Sequence, residues 1–545
     1  MFDKQRRIQT IMLFAIGLLV GCDRIPSRPP IGTQAEAEQR VFSEVTRPET
    51  IDEEDAASPK IADIEVHPEA VAPMPIEQRD AEYWEAYLVG REQVGFSCTK
   101  LEAFGERDEF LRYTMEEQLR VRRGEQVSRQ WLKQTSLETI DGIFQQFESE
   151  LSADGSIVLS QGKIGYEQLP IVVQRDGQSQ TTMVPWTSKY HGPFGIQQSL
   201  LAEPMKPKQD RWLHALLPLQ HQVGTIHLHS TDVINVAMMQ GESQKLLEIE
   251  CKIEVDGRPI LDRLLWTNDD GEILKSYTPV IDFTSVRVDR ETATQFAEPQ
   301  NDLLAATVID VGTGSTWDTL RSRERLTFQV RHQSQSPAAI IPSTPCQVVT
   351  VVDDRNVRVL CWPILDKASD TLGPIEADLE SNLLIQSDHL TIKQMITGLL
   401  VADNATTAQK AETLRLAVNR HVGTKNFTHA FLSAAEVAIE AEGDCTEHAI
   451  LLAALLRASG IPSRVAAGWL LMPPDANGTI RMGYHMWTLY WDGDRWLALD
   501  SSMSEQPSFP DRIMLVASNL ASGNEYACLL PVLQALGQVT VQLED

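Results

Sequence analysis

The strongest constraint on what this chain can fold into is an unbroken apolar run, Ala449-Ile450-Leu451-Leu452-Ala453-Ala454-Leu455-Leu456, placed directly behind Asp444-Cys445-Thr446-Glu447. Asp444 carries the short carboxylate of an N-cap, and Glu447, three residues on, completes a capping box. A helix therefore starts at Cys445, and Gly460 and Pro462 stop it before a strand at Arg464 to Leu470. Ala449, Leu452 and Leu456 share the Cys445 face, so the sulfur points into the protein body. Unpaired N–H groups and the helix dipole at that first turn favour a thiolate, and the same amides are placed to hold a developing oxyanion.

Two further strands follow, one through Gly483-Tyr484-His485-Met486-Trp487 and one through Trp496-Leu497-Ala498-Leu499-Asp500. Asp492-Gly493 between them suits a two-residue hairpin loop, because both central positions need positive φ. That loop sets Trp491 opposite Asp494 and, counting back, His485 directly opposite Asp500, with Cβ atoms about 4.5–5.5 Å apart. A three-residue loop, Asp492 to Asp494, pairs His485 with Ser501 instead. A thiol needs a base, and the base needs a group to orient it; Cys445, His485 and Asp500 supply the three in chain order. Taken alone, Cys445 reads as a small buried hydrophobe, but cap, register and chain order together favour a catalytic-type site. His448 competes as a base or metal ligand, yet it lacks a third member and the spacing of a metal motif, and reads as a structural neighbour. Trp487, Trp491 and Trp496 read as packing residues of a half-buried hairpin.

The runs Gly443-Asp444-Cys445-Thr446-Glu447-His448-Ala449 and Leu455-Leu456-Arg457-Ala458-Ser459-Gly460-Ile461-Pro462-Ser463-Arg464-Val465, with His485-Met486-Trp487 and Leu499-Asp500, resemble the core of the transglutaminase-like superfamily. The resemblance implies a papain-like α+β fold with Cys445 as nucleophile, His485 as base and Asp500 as orienting acid. Leu489 and Asp500-Ser501-Ser502 depart from the usual family pattern without removing a member of the triad.

At the other end, Lys4, Arg6 and Arg7 precede a short apolar stretch, Ile11 to Val20, that is brief for a membrane span. Leu19-Val20-Gly21-Cys22 resembles a bacterial lipobox, which implies a signal peptide over 1–21 and lipid attachment at Cys22. Residues 22–80 scatter prolines among Glu and Asp with little apolar surface to bury, the composition of a disordered acidic tether. A net charge of −28 argues against a nucleic-acid partner. The expected location is the cell envelope, lipid-anchored and facing the periplasm or exterior, with a protein or peptide substrate there.

Strand-like segments such as Phe144 to Leu151, Ile157 to Leu159 and Leu246 to Val255, with turns at Asp154-Gly155, Asp256-Gly257 and Asp270-Gly271, predict an antiparallel β domain over 81–295. His221, His227 and His229 within it read as solvated strand residues, not metal ligands. Residues 296–370 read as a strand-rich linker or subdomain, where a hairpin turning at Asp353-Asp354 sets Cys346 opposite Cys361 as a possible disulfide. Residues 371–545 form the transglutaminase-like domain. The fold class expected for the whole is α+β. No cofactor or metal site is expected. The expected function is thiol-dependent acyl transfer on peptide or glutamine-type amides, with hydrolysis favoured over cross-linking; the alternative is a non-catalytic envelope binding module with a vestigial triad.

Overall fold

Along Ser156–Lys163 every second residue is buried, the period of a pleated sheet with one covered face. The same alternation recurs through residues 81–288. The structure, a computed structural model, describes residues 81–544 apart from 106–107, 124–125, 154–155, 240, 256, 279–280, 301–307, 345, 363–372, 400–403, 425–430, 505–509, 522–529 and 536. The expected signal peptide (1–21), Cys22 and the tether (22–80) lie outside the described residues.

Fifteen strands make one sheet. Ala81–Val89 lies inside it, antiparallel to Glu92–Phe104 on one side and to Phe283–Val288 on the other. The first half meanders outward to Gln178–Pro185, and the second returns from Tyr190–His191 to Phe283–Val288. The sheet curls on itself: Leu216 of the second half packs with Phe144, Phe147 and Leu169 of the first. Phe194 stacks on Tyr113 with ring centroids 5.0 Å apart.

The covered face is not uniformly apolar. Ser97, Glu117, Gln130, Gln134, Ser136 and Glu138 are all buried on it. Strands such as Gln126–Thr139 therefore carry the pleat in their burial while their composition reads as polar throughout. Hydrophobic alternation, the main signal for a strand, is erased there.

A second sheet of nine strands holds the rest. Ile309–Gly312, Leu326–His332, Gln347–Asp353 and Asn356–Cys361 join it, so the strands of 296–370 and the His485 strand (Arg481–Trp491) share one sheet. Helix Cys445–Ala458 packs on Arg481–Trp491 and Ser463–Met472 and is flanked by Thr407–His421, Leu390–Thr397 and Ala434–Glu440. Every residue from Cys445 to Arg457 is buried, as an uninterrupted apolar run demands. Each leucine so placed stabilises the fold by about 1.5–3 kcal/mol relative to exposure. The larger sheet touches this half at Asp176, whose Oδ2 accepts a hydrogen bond from Ser433 Oγ at 2.8 Å.

Two expectations are corrected here. The chain as a whole is not α+β: the described residues hold twenty-four strands against eight α-helices, and the molecule is mostly β. The helical periodicity behind Asp388 is real, but it covers a minority of a chain in which the strands expected before it far outnumber the helices. The Cys346–Cys361 disulfide is also absent. Gln347 stands opposite Cys361: the turn falls one residue later than expected, so that Asp353 pairs with Asn356, and a bulge between Val351 and Asp353 takes one residue back.

Candidate active site

The first member of the site rests on a glycine. Gly443 has φ +151°, and a Cβ there would lie 2.4 Å from the Cβ of Glu447, so no larger residue fits without displacing the first helical turn. The turn is closed by the capping box: Asp444 Oδ1 accepts from Thr446 N at 2.7 Å, and Glu447 Oε2 accepts from Asp444 N at 2.9 Å. Glu447 Oε1 accepts from Leu432 N at 3.3 Å, tying the cap to the segment ahead of it. Burial, and then the charge of Asp444, push the Glu447 carboxyl well above its usual range. Cys445 is the first residue of the helix and is buried.

His485 lies in the middle of Arg481–Trp491, opposite Gly468 of Ser463–Met472. A Cβ on Gly468 would meet the Ile513 carbonyl oxygen at 2.0 Å, and the pairing with Arg512–Ser518 shifts register at that point. Glycine lets the neighbouring backbone approach beside His485.

The hairpin differs from the expected one. Trp491 pairs with Trp496 and Thr488 with Leu499, so the loop is Asp492–Arg495, closed by Asp492 N donating to Arg495 O at 3.1 Å. Asp492 Oδ1 accepts from both Asp494 N and Arg495 N at 2.9 Å, which favours the longer turn over the two-residue one. His485 and Asp500 are therefore not directly opposed. The shift relative to the expected register is two residues, and a sheet face repeats every two, so Asp500 keeps the side of the ladder that His485 faces. Asp500 follows the last strand residue, Leu499, and its Oδ2 comes to 2.6 Å from His485 Nε2.

What holds Asp500 there was not legible in advance. Ser502 donates to Asp500 Oδ1 through its main-chain N (3.0 Å) and its Oγ (2.7 Å). Arg512 Nη1 donates to Asp500 Oδ2 at 3.1 Å, the same oxygen that faces His485. Arg415, itself buried, donates to the main-chain oxygens of Asp500 (3.3 Å) and Met503 (2.7 Å), pinning the turn to helix Thr407–His421. None of these side chains belongs to a recognisable motif; Arg512 opens the next strand and Arg415 lies on a helix far ahead of the hairpin in sequence. Ser502 had the one available signal, a hydroxyl two residues behind a candidate carboxylate.

The electrostatics follow from this arrangement. Burial by itself disfavours the charged imidazole, but the Asp500 carboxylate and a hydrogen bond with Cys445 outweigh it and raise the His485 pKa to about 9. Burial opposes the Asp500 charge as well, yet His485, Arg512 and Ser502 hold its pKa far below the usual carboxylate range. His485 and Asp500 are each 1% exposed, which keeps bulk water away and strengthens the pairing. Nε2 is engaged by the carboxylate, leaving Nδ1 as the ring nitrogen available to the thiol.

Cys445, His485 and Asp500 are thus brought together, with His485 hydrogen-bonded to both of the others. Trp487 stacks alongside His485 with centroids 6.1 Å apart, while Trp491 and Trp496 meet edge to face at 5.6 Å. His448 lies on the Cys445 helix, and its main-chain oxygen accepts from Ser501 Oγ at 3.0 Å. His227 and His229 both hydrogen-bond Asp210 Oδ1, at 2.7 and 3.0 Å, on an exposed part of the larger sheet. Among the described residues no group of three or more His, Cys, Asp or Glu side chains is arranged to hold a metal ion.

A thiol at a capped helix start, laid against an antiparallel sheet that carries a buried His–Asp pair, has the parts that thiol chemistry requires. Residues 394–501 match the family model of the transglutaminase-like superfamily, so this part of the chain belongs to that superfamily. The match contains Cys445, His485 and Asp500 and ends before Arg512. No curated protein matches the chain. Among solved structures, the β-barrel-like protein of domain of unknown function DUF1849 from Brucella abortus is 12% identical over 38% of this chain and 95% of its own, with TM-score 0.30. A provisionally assigned cysteine protease from Cytophaga hutchinsonii is 15% identical over 43% of this chain and 82% of its own, with TM-score 0.24. The periplasmic domain of TgpA from Pseudomonas aeruginosa, bound to ethylmercury, is 17% identical over 34% of this chain and 92% of its own, with TM-score 0.21. No helix among the described residues is long and apolar enough to cross a membrane.

Proposed function

We propose that this protein is a thiol-dependent acyl-transfer enzyme that hydrolyses peptide or glutamine-type amide bonds in the bacterial cell envelope, where a lipid on Cys22 anchors it. The observation that carries the reading is His485 buried between the Cys445 thiol and the Asp500 carboxylate, with Nε2 2.6 Å from Oδ2. Cys445 transfers its proton to His485, and the thiolate sulfur bonds to the amide carbonyl carbon. The C–N bond then breaks as His485 returns the proton to the departing amine, leaving a thioester. Water attacks the thioester carbon, gives a proton to His485 and releases the acid, and the proton goes back to the sulfur. Asp500 keeps the imidazole oriented and stabilises its charged form without itself taking the proton.

The test is incubation of the full-length protein with an envelope extract and a labelled primary amine, read by mass spectrometry against Cys445→Ala. Backbone cleavage or deamidation that depends on Cys445 supports hydrolysis, while amine incorporation supports cross-linking instead. If none of the three differs between wild type and Cys445→Ala, the enzyme reading falls and a non-catalytic binding module takes its place.

A further inference from the structure

Beyond the three residues of the proposed chemistry lies a fourth charge and a fifth. Arg512 opens the strand Arg512–Ser518, and Asp511 precedes it. The guanidinium is shared between two carboxylates: Nε and Nη2 donate to Asp511 Oδ1 and Oδ2 at 2.8 and 3.2 Å, and Nη1 donates to Asp500 Oδ2 at 3.1 Å. Its carbon also sits 5.1 Å from the centre of the Trp487 ring, the ring that stacks alongside His485. Asp511 is itself buried and anchored through its main-chain oxygen, which accepts from Leu471 N at 2.6 Å.

A partly buried arginine paired with two buried acids is costly to desolvate unless the geometry satisfies all partners. Here it does, and the result is an alternating chain of charge, Asp511, Arg512, Asp500, His485, that ends on Cys445. We infer that Arg512, held by Asp511, is a positioning residue for the proposed chemistry: it fixes the Asp500 carboxylate against His485 and sets how much negative charge the imidazolium meets. This rests on the reading of His485 as the base.

The physical content is competition for one oxygen. Asp500 Oδ2 is engaged by Arg512 and by His485 at once, so whatever Arg512 neutralises is withheld from the imidazolium. Asp511 in turn divides the attention of Arg512. The groups facing His485 are Asp500 and Cys445; those facing Arg512 are Asp500, Asp511 and, at longer range, the Cys346 thiol. Arg415 reaches only the main-chain oxygen of Asp500, not its carboxylate.

Two substitutions then shift His485 in opposite directions. Arg512→Met exposes the imidazolium to the full Asp500 charge, so His485 holds its proton to higher pH, by about one unit, which is tenfold in proton affinity. Asp511→Asn releases Arg512 to Asp500, so His485 loses its proton at lower pH. Arg512→Lys keeps the charge but cannot fork between two carboxylates, and brings the titration back toward wild type.

The experiment is an NMR titration of the His485 ring in the full chain, in wild type, Arg512→Met, Arg512→Lys and Asp511→Asn, with the iodoacetamide reactivity of Cys445 followed against pH in the same variants. Opposite shifts for the methionine and asparagine variants, with return in the lysine variant, establish the role. An unmoved His485 titration overturns it, because a merely structural arginine lowers stability without moving that midpoint. If Arg512→Met does not fold, the Asp511→Asn and Arg512→Lys pair reads the same coupling. If His485 shifts as expected while wild-type Cys445 reacts no faster than an ordinary thiol, the positioning stands and the proposed enzyme activity fails.

Discussion

His485 Nε2 meets Asp500 Oδ2 at 2.6 Å although the two residues are not partners in the strand ladder. The contact is made by a carboxylate that has left the end of its strand and is held from behind by Ser502 and Arg512. It therefore depends on that support as much as on the hairpin. Asp500→Asn should keep the shape, leave Arg512 short of a counter-charge and remove the group that stabilises the imidazolium. We expect Cys445-dependent turnover to fall by about 10²–10⁴-fold, the range of a general acid–base contribution. Activity within a few-fold of wild type would remove Asp500 from the mechanism.

The His485 pKa, raised to about 9 from an ordinary 6.5, gives a signed pH dependence. Below the unfolded value the imidazolium–carboxylate pair contributes its full stability, and the contribution is lost as pH rises through the folded value. Urea midpoints should thus decline between about pH 6.5 and 9 in wild type, and the decline should flatten in His485→Gln. An identical slope in the variant would show that His485 is not the titrating group.

Ser502→Ala deletes one charge-assisted hydrogen bond to Asp500 Oδ1 and leaves the main-chain N–H in place. The expected loss in transition-state stabilisation is about 1.5–3 kcal/mol, with KM little changed. Comparing kcat with KM on any substrate found by the extract experiment checks it; a change confined to KM would argue against a role through Asp500.

Gly443→Ala asks the backbone to accept a Cβ 2.4 Å from that of Glu447. Either the cap or the first turn must move, and Cys445 moves with it. We expect slower Cys445 alkylation together with a lower melting temperature, measured side by side. Unchanged values of both would mean that the turn is more pliant than its packing implies.

Leu452→Ala, on the fully buried helix, should cost about 2–5 kcal/mol through lost burial and a residual cavity. Denaturant unfolding measures the cost directly. A value under about 1 kcal/mol would mean that the helix is not the centre of its core.

By itself the sequence determined the local pieces around the site. Asp444, Glu447 and the apolar run to Leu456 specify a capped, buried helix because every requirement lies within one or two turns of chain. It also put His485 and Asp500 on one sheet face, since that property survives a two-residue error in register. The tertiary structure decided the rest. The four-residue loop at Asp492–Arg495 and the turn that pairs Asp353 with Asn356 are closed by short-range aspartate contacts that win over the tighter turns the same residues allow, and the second hold on Asp500 comes from Arg512 on the next strand. The curled fifteen-stranded sheet was hidden for a different reason. Its covered face carries Ser97, Glu117, Gln134 and Glu138, and polar residues become inward-facing only when strands far apart in sequence close over them.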